Sequence, residues 1–287
     1  MTSDAPPWED PRRALARHGL EPKRSFSQNF LTSKDVFDRI AAAAVLEDDE
    51  PVVELGPGVG TLTAALLRRG GRVHAIERDR DMLAVLRADL AGQGRFVVEE
   101  GDAATVDLAA LADAAGGRIA VAGNLPYAIT GAILKHLVEE RTRVRRAVVM
   151  VQREVRDRLL AEPGTKDYGA LTVFVTAAFR VEPVLTVKPG AFHPPPKVAS
   201  AVVRLVPLEP ARAEETESFR TVVRASFEQR RKTLRNALTT ALSSPELVAR
   251  TLARAGIDGM RRGETLSVEE FATLGKALDV ERASALP

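Results

Sequence analysis

Val52-Val53-Glu54-Leu55-Gly56-Pro57-Gly58-Val59-Gly60 runs a β-branched segment straight into three glycines spaced G-x-G-x-G, and a helical pattern with Leu62, Ala65 and Leu66 on one side begins directly behind it. A strand, a tight glycine turn and a helix in that order open a βαβ unit, and the turn lets the backbone approach a ligand at the carboxyl end of the strand. The alternation continues outward. Residues 72–77 (RVHAIE) read as a second strand, and residues 79–90 as a helix with Met82, Leu83, Val85, Leu86 and Leu90 at helical spacing. Residues 96–98, 119–121 and 147–151 read as further strands, with a helix over 129–140 before the last. Strands alternating with helices of this length predict an α/β chain with a Rossmann-like parallel sheet.

After a helix expected over 153–160 the pattern changes. Residues 171–179, 184–187 and 198–206 are strand-like, and Pro189, Pro194, Pro195 and Pro196 confine the last connection to an irregular loop. Residues 207–210 read as a linker. Beyond it the chain turns helical over 215–242 and 245–255, and a final helix opens on a capping box, Ser267 with Glu270 three residues on. These signals predict two domains, 1–208 of α/β type and a smaller all-helical one over 209–287.

The 287 residues are 45% hydrophobic and 28% charged, the balance of a folded chain rather than a disordered one. Cysteine is absent, which excludes disulfides, thiolate metal sites and a cysteine nucleophile. No membrane-length apolar run and no secretory leader are visible, so a cytoplasmic protein is expected. The 41 basic and 39 acidic residues leave a net charge of +2, but the basic ones cluster locally. Residues 220–235 hold six basic side chains against Glu228 alone, residues 141–158 seven against two, and residues 12–24 five against one. Each cluster is as readily a solvated helix face as a binding patch.

Glu77 ends the second strand, where Rossmann-type folds use a carboxylate for ribose hydroxyls, and Asp102 follows the third strand, placed to accept from an adenine amine. Either carboxylate alone is more often an ordinary strand-end or cap residue. The cofactor stays open between a nicotinamide dinucleotide and S-adenosylmethionine. With Leu62 and Thr63 standing where a dinucleotide fingerprint wants its third glycine, the spacing favours the latter. Walker, H-E-x-x-H and G-x-S-x-G motifs are missing.

The fourth strand runs into Asn124-Leu125-Pro126-Tyr127. Methylating the exocyclic amine of adenine requires acceptors for its N–H groups and a base taken out of its stack. An Asn oxygen, a carbonyl next to a proline and an aromatic ring supply those needs, although the same four residues also make a plain strand-end turn.

Asn124-Leu125-Pro126-Tyr127 resembles the motif of N6-adenine methyltransferases. Together with residues 23–31 (KRSFSQNFL), 53–60 (VELGPGVG), 192–200 (FHPPPKVAS) and 227–238 (FEQRRKTLRNAL), it makes the chain similar to the bacterial small-subunit (16S) ribosomal RNA adenine N6,N6-dimethyltransferase family along nearly its whole length. The resemblance implies an S-adenosylmethionine-dependent enzyme. It would dimethylate two adjacent adenosines in the 3′-terminal hairpin of 16S rRNA, in the small subunit or its late precursor, as a cytoplasmic monomer. It also implies site residues. Asn29, Leu31, Gly56, Gly58, Glu77, Asp102 and Asn124 would bind the cofactor, and Tyr127 and Phe192 would sandwich the flipped adenine beside Asn124 and Pro126. Arg230, Arg231, Lys232 and Arg235, in a helical stretch, would meet RNA phosphates. Ser27 stands where many members carry glycine. Tyr168 is expected in the core. The alternatives are a 23S rRNA methyltransferase of the erythromycin-resistance type, a non-catalytic assembly factor, and a nicotinamide oxidoreductase.

Overall fold

The computed structural model describes residues 6–23 and 28–284; Ser27 and its three predecessors lie outside them. The chain divides into two compact units, one of residues 1–156 and 181–207, the other of residues 157–180 and 208–287.

The first unit is built on a seven-stranded sheet. Its helices and strands follow in the order α1 (Pro11–Arg17), β1 (Phe30–Leu31), α2 (Lys34–Ala44), β2 (Pro51–Leu55), α3 (Thr61–Arg68), β3 (Arg72–Glu77), α4 (Arg80–Asp89) and β4 (Phe96–Glu100). They continue as α5 (Leu108–Ala114), β5 (Ile119–Asn124), α6 (Thr130–Glu139), β6 (Val144–Gln152), α7 (Arg153–Leu159), β7 (Phe179–Val187), β8 (Phe192–His193) and β9 (Ser200–Pro207), with α7 and β7 crossing the boundary between units. The sheet order is β4-β3-β2-β5-β6-β9-β7, with β4 through β6 parallel and β9 antiparallel to β6. Because β2, β5 and β6 are buried over most of their length, they read as largely apolar runs, broken by Glu54 in β2 and by Arg145 and Arg146 in β6. Helices α2 and α3 supply one cover through Phe37, Ile40, Leu62 and Leu66. The strand order reverses between β2 and β5, which opens a crevice at their carboxyl ends. The two strands pack closely there, since a Cβ on Gly123 would stand 2.6 Å from the Leu55 carbonyl oxygen.

The second unit holds α8 (Ala170–Ala178), α9 (Glu217–Glu228), α10 (Leu234–Leu242), α11 (Pro245–Ala255) and α12 (Val268–Ala283). Its apolar core joins Tyr168, Val173, Phe219, Leu238, Leu252 and Phe271. Tyr168 is fully buried, as expected, and its hydroxyl donates to the Leu266 carbonyl at 2.8 Å. The Ser267–Glu270 capping box opens α12 as the sequence predicts.

Three expectations differ from the structure. The strand expected over 171–179 is helix α8. Its valines and threonines favour strands locally, but Thr172, Val173 and Ala177 bury one helical face, and Phe174 meets Phe219 edge-on with ring centroids 5.9 Å apart. Residues 157–180 belong to the second unit, so the chain enters it before residue 208. The helix expected over 215–242 is two helices, because the chain leaves helical geometry at Gln229 (φ −122°, ψ 50°) and restarts at Thr233, whose hydroxyl caps α10. Arg230, Arg231 and Lys232 therefore occupy a turn, and Arg235 alone of the four lies in a helix. Among the described residues no helix is long and apolar enough to cross a membrane.

Candidate active site

The carboxyl ends of β2, β3, β4 and β5 surround a cavity of about 210 Å³. Asn29, Leu31, Gly56, Gly58, Glu77, Asp102, Asn124, Pro126 and Tyr127 all line it, and so do Phe30, Glu54 and Arg78. Gly56, Gly58 and Gly60 take φ of +69°, +57° and +81°, the left-handed region that a side chain rarely adopts, and this lets the loop fold back onto the end of β2. A Cβ on Gly58 would also come within 3.0 Å of the Phe30 ring.

Glu77 is buried at the end of β3, and its carboxylate accepts three backbone N–H bonds, from Gly58 at 3.0 Å and from Arg78 and Asp79 at 2.8 Å each. A carboxylate offers about four acceptor positions, so one remains for a ligand hydroxyl. Burial pushes its pKa above the ordinary carboxylate value, and the three N–H groups oppose that shift. Asp102 accepts from the Ala104 N–H at 2.9 Å and pairs with Arg78 at 3.2 Å. Ahead of α4, Asp79 is almost wholly buried and takes Lys23 at 2.7 Å and Gln28 at 2.8 Å, which ties the segment before β1 to the wall that carries Glu77.

Asn124 closes β5, where its Nδ2 donates to the Asn29 carbonyl at 3.2 Å and leaves Oδ1 as an acceptor. Pro126 starts a short turn into α6, and its carbonyl accepts from the Ile129 N–H and the Thr130 hydroxyl, both at 3.1 Å. Both its lone pairs are thereby used, and the other carbonyl beside the proline is that of Leu125. The half-buried Tyr127 ring is pinned by a 2.7 Å hydrogen bond between its hydroxyl and Ser200; burial raises its pKa.

Phe192 is not brought to this cavity. At 5% exposure it lies in the apolar cluster with Leu31, Phe37 and Val202, opposite Leu31 in the β1/β8 ladder. The sandwich of Tyr127 and Phe192 is therefore not assembled in this structure. Of the basic residues in the second unit, Arg230 is held by Glu264 at 3.0 Å, by the Lys166 carbonyl at 3.2 Å and over the Phe227 ring at 5.9 Å. Arg231, Lys232 and Arg235 are exposed. Glu54 was not among the expected site residues, yet a lone charge inside an apolar strand that ends on the glycine loop marks it.

The sheet order with its antiparallel β9, the glycine loop and the cavity at the switch point define a nucleotide-cofactor-binding domain of the methyltransferase type. Comparison with known proteins narrows this. The profile of the family described as ribosomal RNA adenine dimethylase matches residues 19–279. Ribosomal RNA small subunit methyltransferase A of Myxococcus xanthus is 49% identical over 274 residues, 94% of this chain and 95% of that protein. Its Bacillus cereus counterpart is 43% identical over 94% of this chain and 96% of that one. The crystal structure of a dimethyladenosine transferase from Plasmodium falciparum superposes with a TM-score of 0.75 at 25% identity, covering 88% of this chain and 98% of that one. The 23S rRNA methyltransferase ErmE superposes less well, with a TM-score of 0.63 at 30% identity over 88% of this chain and all of that one. The chain belongs to the ribosomal RNA adenine dimethylase family.

Proposed function

We propose that this protein transfers two methyl groups from S-adenosylmethionine to N6 of each of two adjacent adenosines in the 3′-terminal hairpin of 16S rRNA, within the small subunit or its late precursor. The observation that carries the reading is that Asn124 to Tyr127 and the glycine loop line one cavity, in a chain of this family.

The residues suit the cofactor. Glu77 keeps an acceptor for the ribose hydroxyls, Asp102 stands by for the adenine amine, and the Gly56 to Gly60 turn clears space that a Cβ on Gly58 would take from Phe30. When bound, S-adenosylmethionine supplies a methyl group already activated on a sulfonium. The protein's part is positioning. Asn124 Oδ1 and the Leu125 carbonyl accept the two N–H groups of the target amine, which turns its lone pair toward the donor. The Tyr127 ring, fixed by Ser200, gives the extruded base a stacking surface. Phe192 completes the sandwich only after leaving its buried place beside Leu31.

The helical unit is proposed as the ribosome-binding part. Arg231, Lys232 and Arg235 present exposed charge to phosphates, and the clamped Arg230 shapes the turn that carries two of them. The setting proposed is cytoplasmic and the form monomeric, as the resemblance implies; sedimentation equilibrium at micromolar concentration tests the latter. Incubation with methyl-labelled cofactor and unmethylated small subunits should yield dimethyladenosine at the two hairpin positions. Label confined to 23S RNA, the outcome for an ErmE-like enzyme, overturns the proposal.

A further inference from the structure

Met260 is 67% exposed, more than any other large apolar side chain among the described residues, and it belongs to the basic surface of the second unit. A single exposed apolar side chain is common and means little by itself. Met260 differs in the backbone beneath it and the charges around it. Residues 162–167, 229–233 and 257–265 form loops that hydrogen bonds lock together. The Gly164 N–H donates to the Glu264 carbonyl at 2.7 Å, and Arg230 joins the Glu264 carboxylate at 3.0 Å to the Lys166 carbonyl at 3.2 Å. In the first turn of α10, the N–H groups of Leu234 and Arg235 donate to the carbonyls of Arg261 at 2.7 Å and Gly259 at 3.0 Å, which satisfies donors that a helix leaves unpaired at its start. Gly259 permits the approach, since a Cβ there would stand 2.8 Å from Leu252 and 3.2 Å from the Arg235 Cβ. Residues 258–261 make a tight turn, closed by the Arg261 N–H on the Asp258 carbonyl at 3.2 Å, and the Asp258 carboxylate accepts from the Met260 N–H at 2.9 Å. Ile257 is anchored in the core before the turn, and the Arg261 guanidinium is tied to Glu270 and to the Thr265 carbonyl after it. Met260 is thus presented to solvent from the corner of a fixed turn, on a surface where Lys166, Arg231, Lys232, Arg235 and Arg262 are exposed as well.

We infer that Met260 is an apolar contact for an unpaired base of the ribosomal RNA, set among the cations that meet its phosphates. This rests on the reading of the helical unit as the ribosome-binding part. Cations neutralise phosphate equally well on any stretch of RNA, so they position the protein without choosing where it binds. Paired A-form RNA turns phosphates and ribose hydroxyls outward, and a thioether has little to offer them; a base splayed from a loop or bulge exposes an apolar face. The unbranched, polarisable side chain of Met packs on such a face and adapts to its tilt. Because the turn beneath is already fixed, only the side-chain torsions of Met260 remain to be ordered on binding.

Equilibrium binding of the full-length protein to unmethylated small subunits, measured across a series of salt concentrations, separates this contact from the ionic ones. Met260→Ala should weaken binding roughly tenfold at every salt concentration, as expected for an apolar side chain lost from an interface, and leave the slope of log affinity against log salt unchanged, because this contact releases no counter-ion. Met260→Leu, apolar and of similar volume, should keep most of the affinity. Both variants should melt at the wild-type temperature, since the side chain is exposed in the free protein. Replacing methionine throughout by its diazirine analogue identifies what the side chain touches. Of the four methionines, Met82 and Met150 are buried, and crosslinks formed at residue 260, located by peptide mapping, should fall on an unpaired 16S nucleotide. Crosslinks there to ribosomal protein alone, or to paired stems alone, overturn the inference. So does Met260→Ala binding as tightly as wild type, which leaves the ribosome-binding reading standing. Failure of the wild-type protein to bind small subunits removes that reading and the inference with it.

Discussion

In the proposed reaction Asn124 joins both halves, its amide nitrogen holding the Asn29 carbonyl and its oxygen accepting from the target amine. Replacing it by Ala should abolish methylation while small-subunit binding, measured by filter retention, stays unchanged. Tyr127→Ala removes a stacking surface worth about 1–3 kcal/mol, so single-turnover transfer should slow roughly tenfold or more while cofactor affinity barely moves. Equal losses in both would place the ring against the cofactor instead. Glu54 supplies a test at the same scale that needs no ligand. Burial pushes its folded-state pKa up to about 8, above the ordinary 4.5, so between those pH values the folded chain binds more protons than the unfolded one. Stability must then fall as pH rises from about 4.5 to 8, by up to the order of 1 kcal/mol per pH unit, and level off above. Thermal melts should show Glu54→Gln losing that slope; parallel wild-type and variant curves would contradict it.

At the level of helices and strands, the proposed reading gives the charges of the basic turn between α9 and α10 two different jobs. Arg231→Ala with Lys232→Ala should weaken subunit binding and lower the slope of log affinity against log salt by about 1 for each phosphate no longer engaged. Arg230→Ala should instead lower the melting temperature as the Glu264 clamp opens, with a smaller change in salt slope. From sequence these residues read as part of one helix, because the apolar spacing of α9 and α10 continues across the gap; Thr233, a good cap residue, is the stop signal that this spacing hides. The central strands of the parallel sheet were legible because β2, β5 and β6 are buried over most of their length and read as apolar, β-branched runs. α8 was not legible, since Leu171 to Phe179 is rich in β-branched and aromatic residues and only the packing of Val173 and Phe174 in the helical core selects the helix. In the same way the cofactor residues could be read from motif positions, whereas the burial of Phe192 depends on β1 pairing with β8, segments about 160 residues apart whose meeting leaves no local pattern.

At the scale of the whole molecule, the second unit is discontinuous, with residues 157–180 and 208–287 sharing one core. A fragment ending at Pro207 would keep α8 but strip Val173, Phe174 and Tyr168 of Phe219, Phe227 and Phe271. It should bind a hydrophobic dye strongly and melt less cooperatively than the full chain; a dye-silent fragment with a sharp transition would mean that α8 folds without its partners. Charge is balanced at this scale as well. The second unit holds 16 basic and 15 acidic residues, so the RNA affinity proposed for it would come from where the arginines stand and not from their excess. The strand β1 has a reach out of proportion to its two residues. Asn29 before it holds Asn124, Leu31 within it lines the cavity opposite Phe192, and Thr32 after it hydrogen-bonds the Ala191 carbonyl at 2.7 Å. Gain or loss of a single residue here would exchange Phe30 and Leu31 across the ladder and carry the Asn29 carbonyl about 3.3 Å from its partner. The length of this stretch is held as tightly as its buried side chains, Phe30 and Leu31.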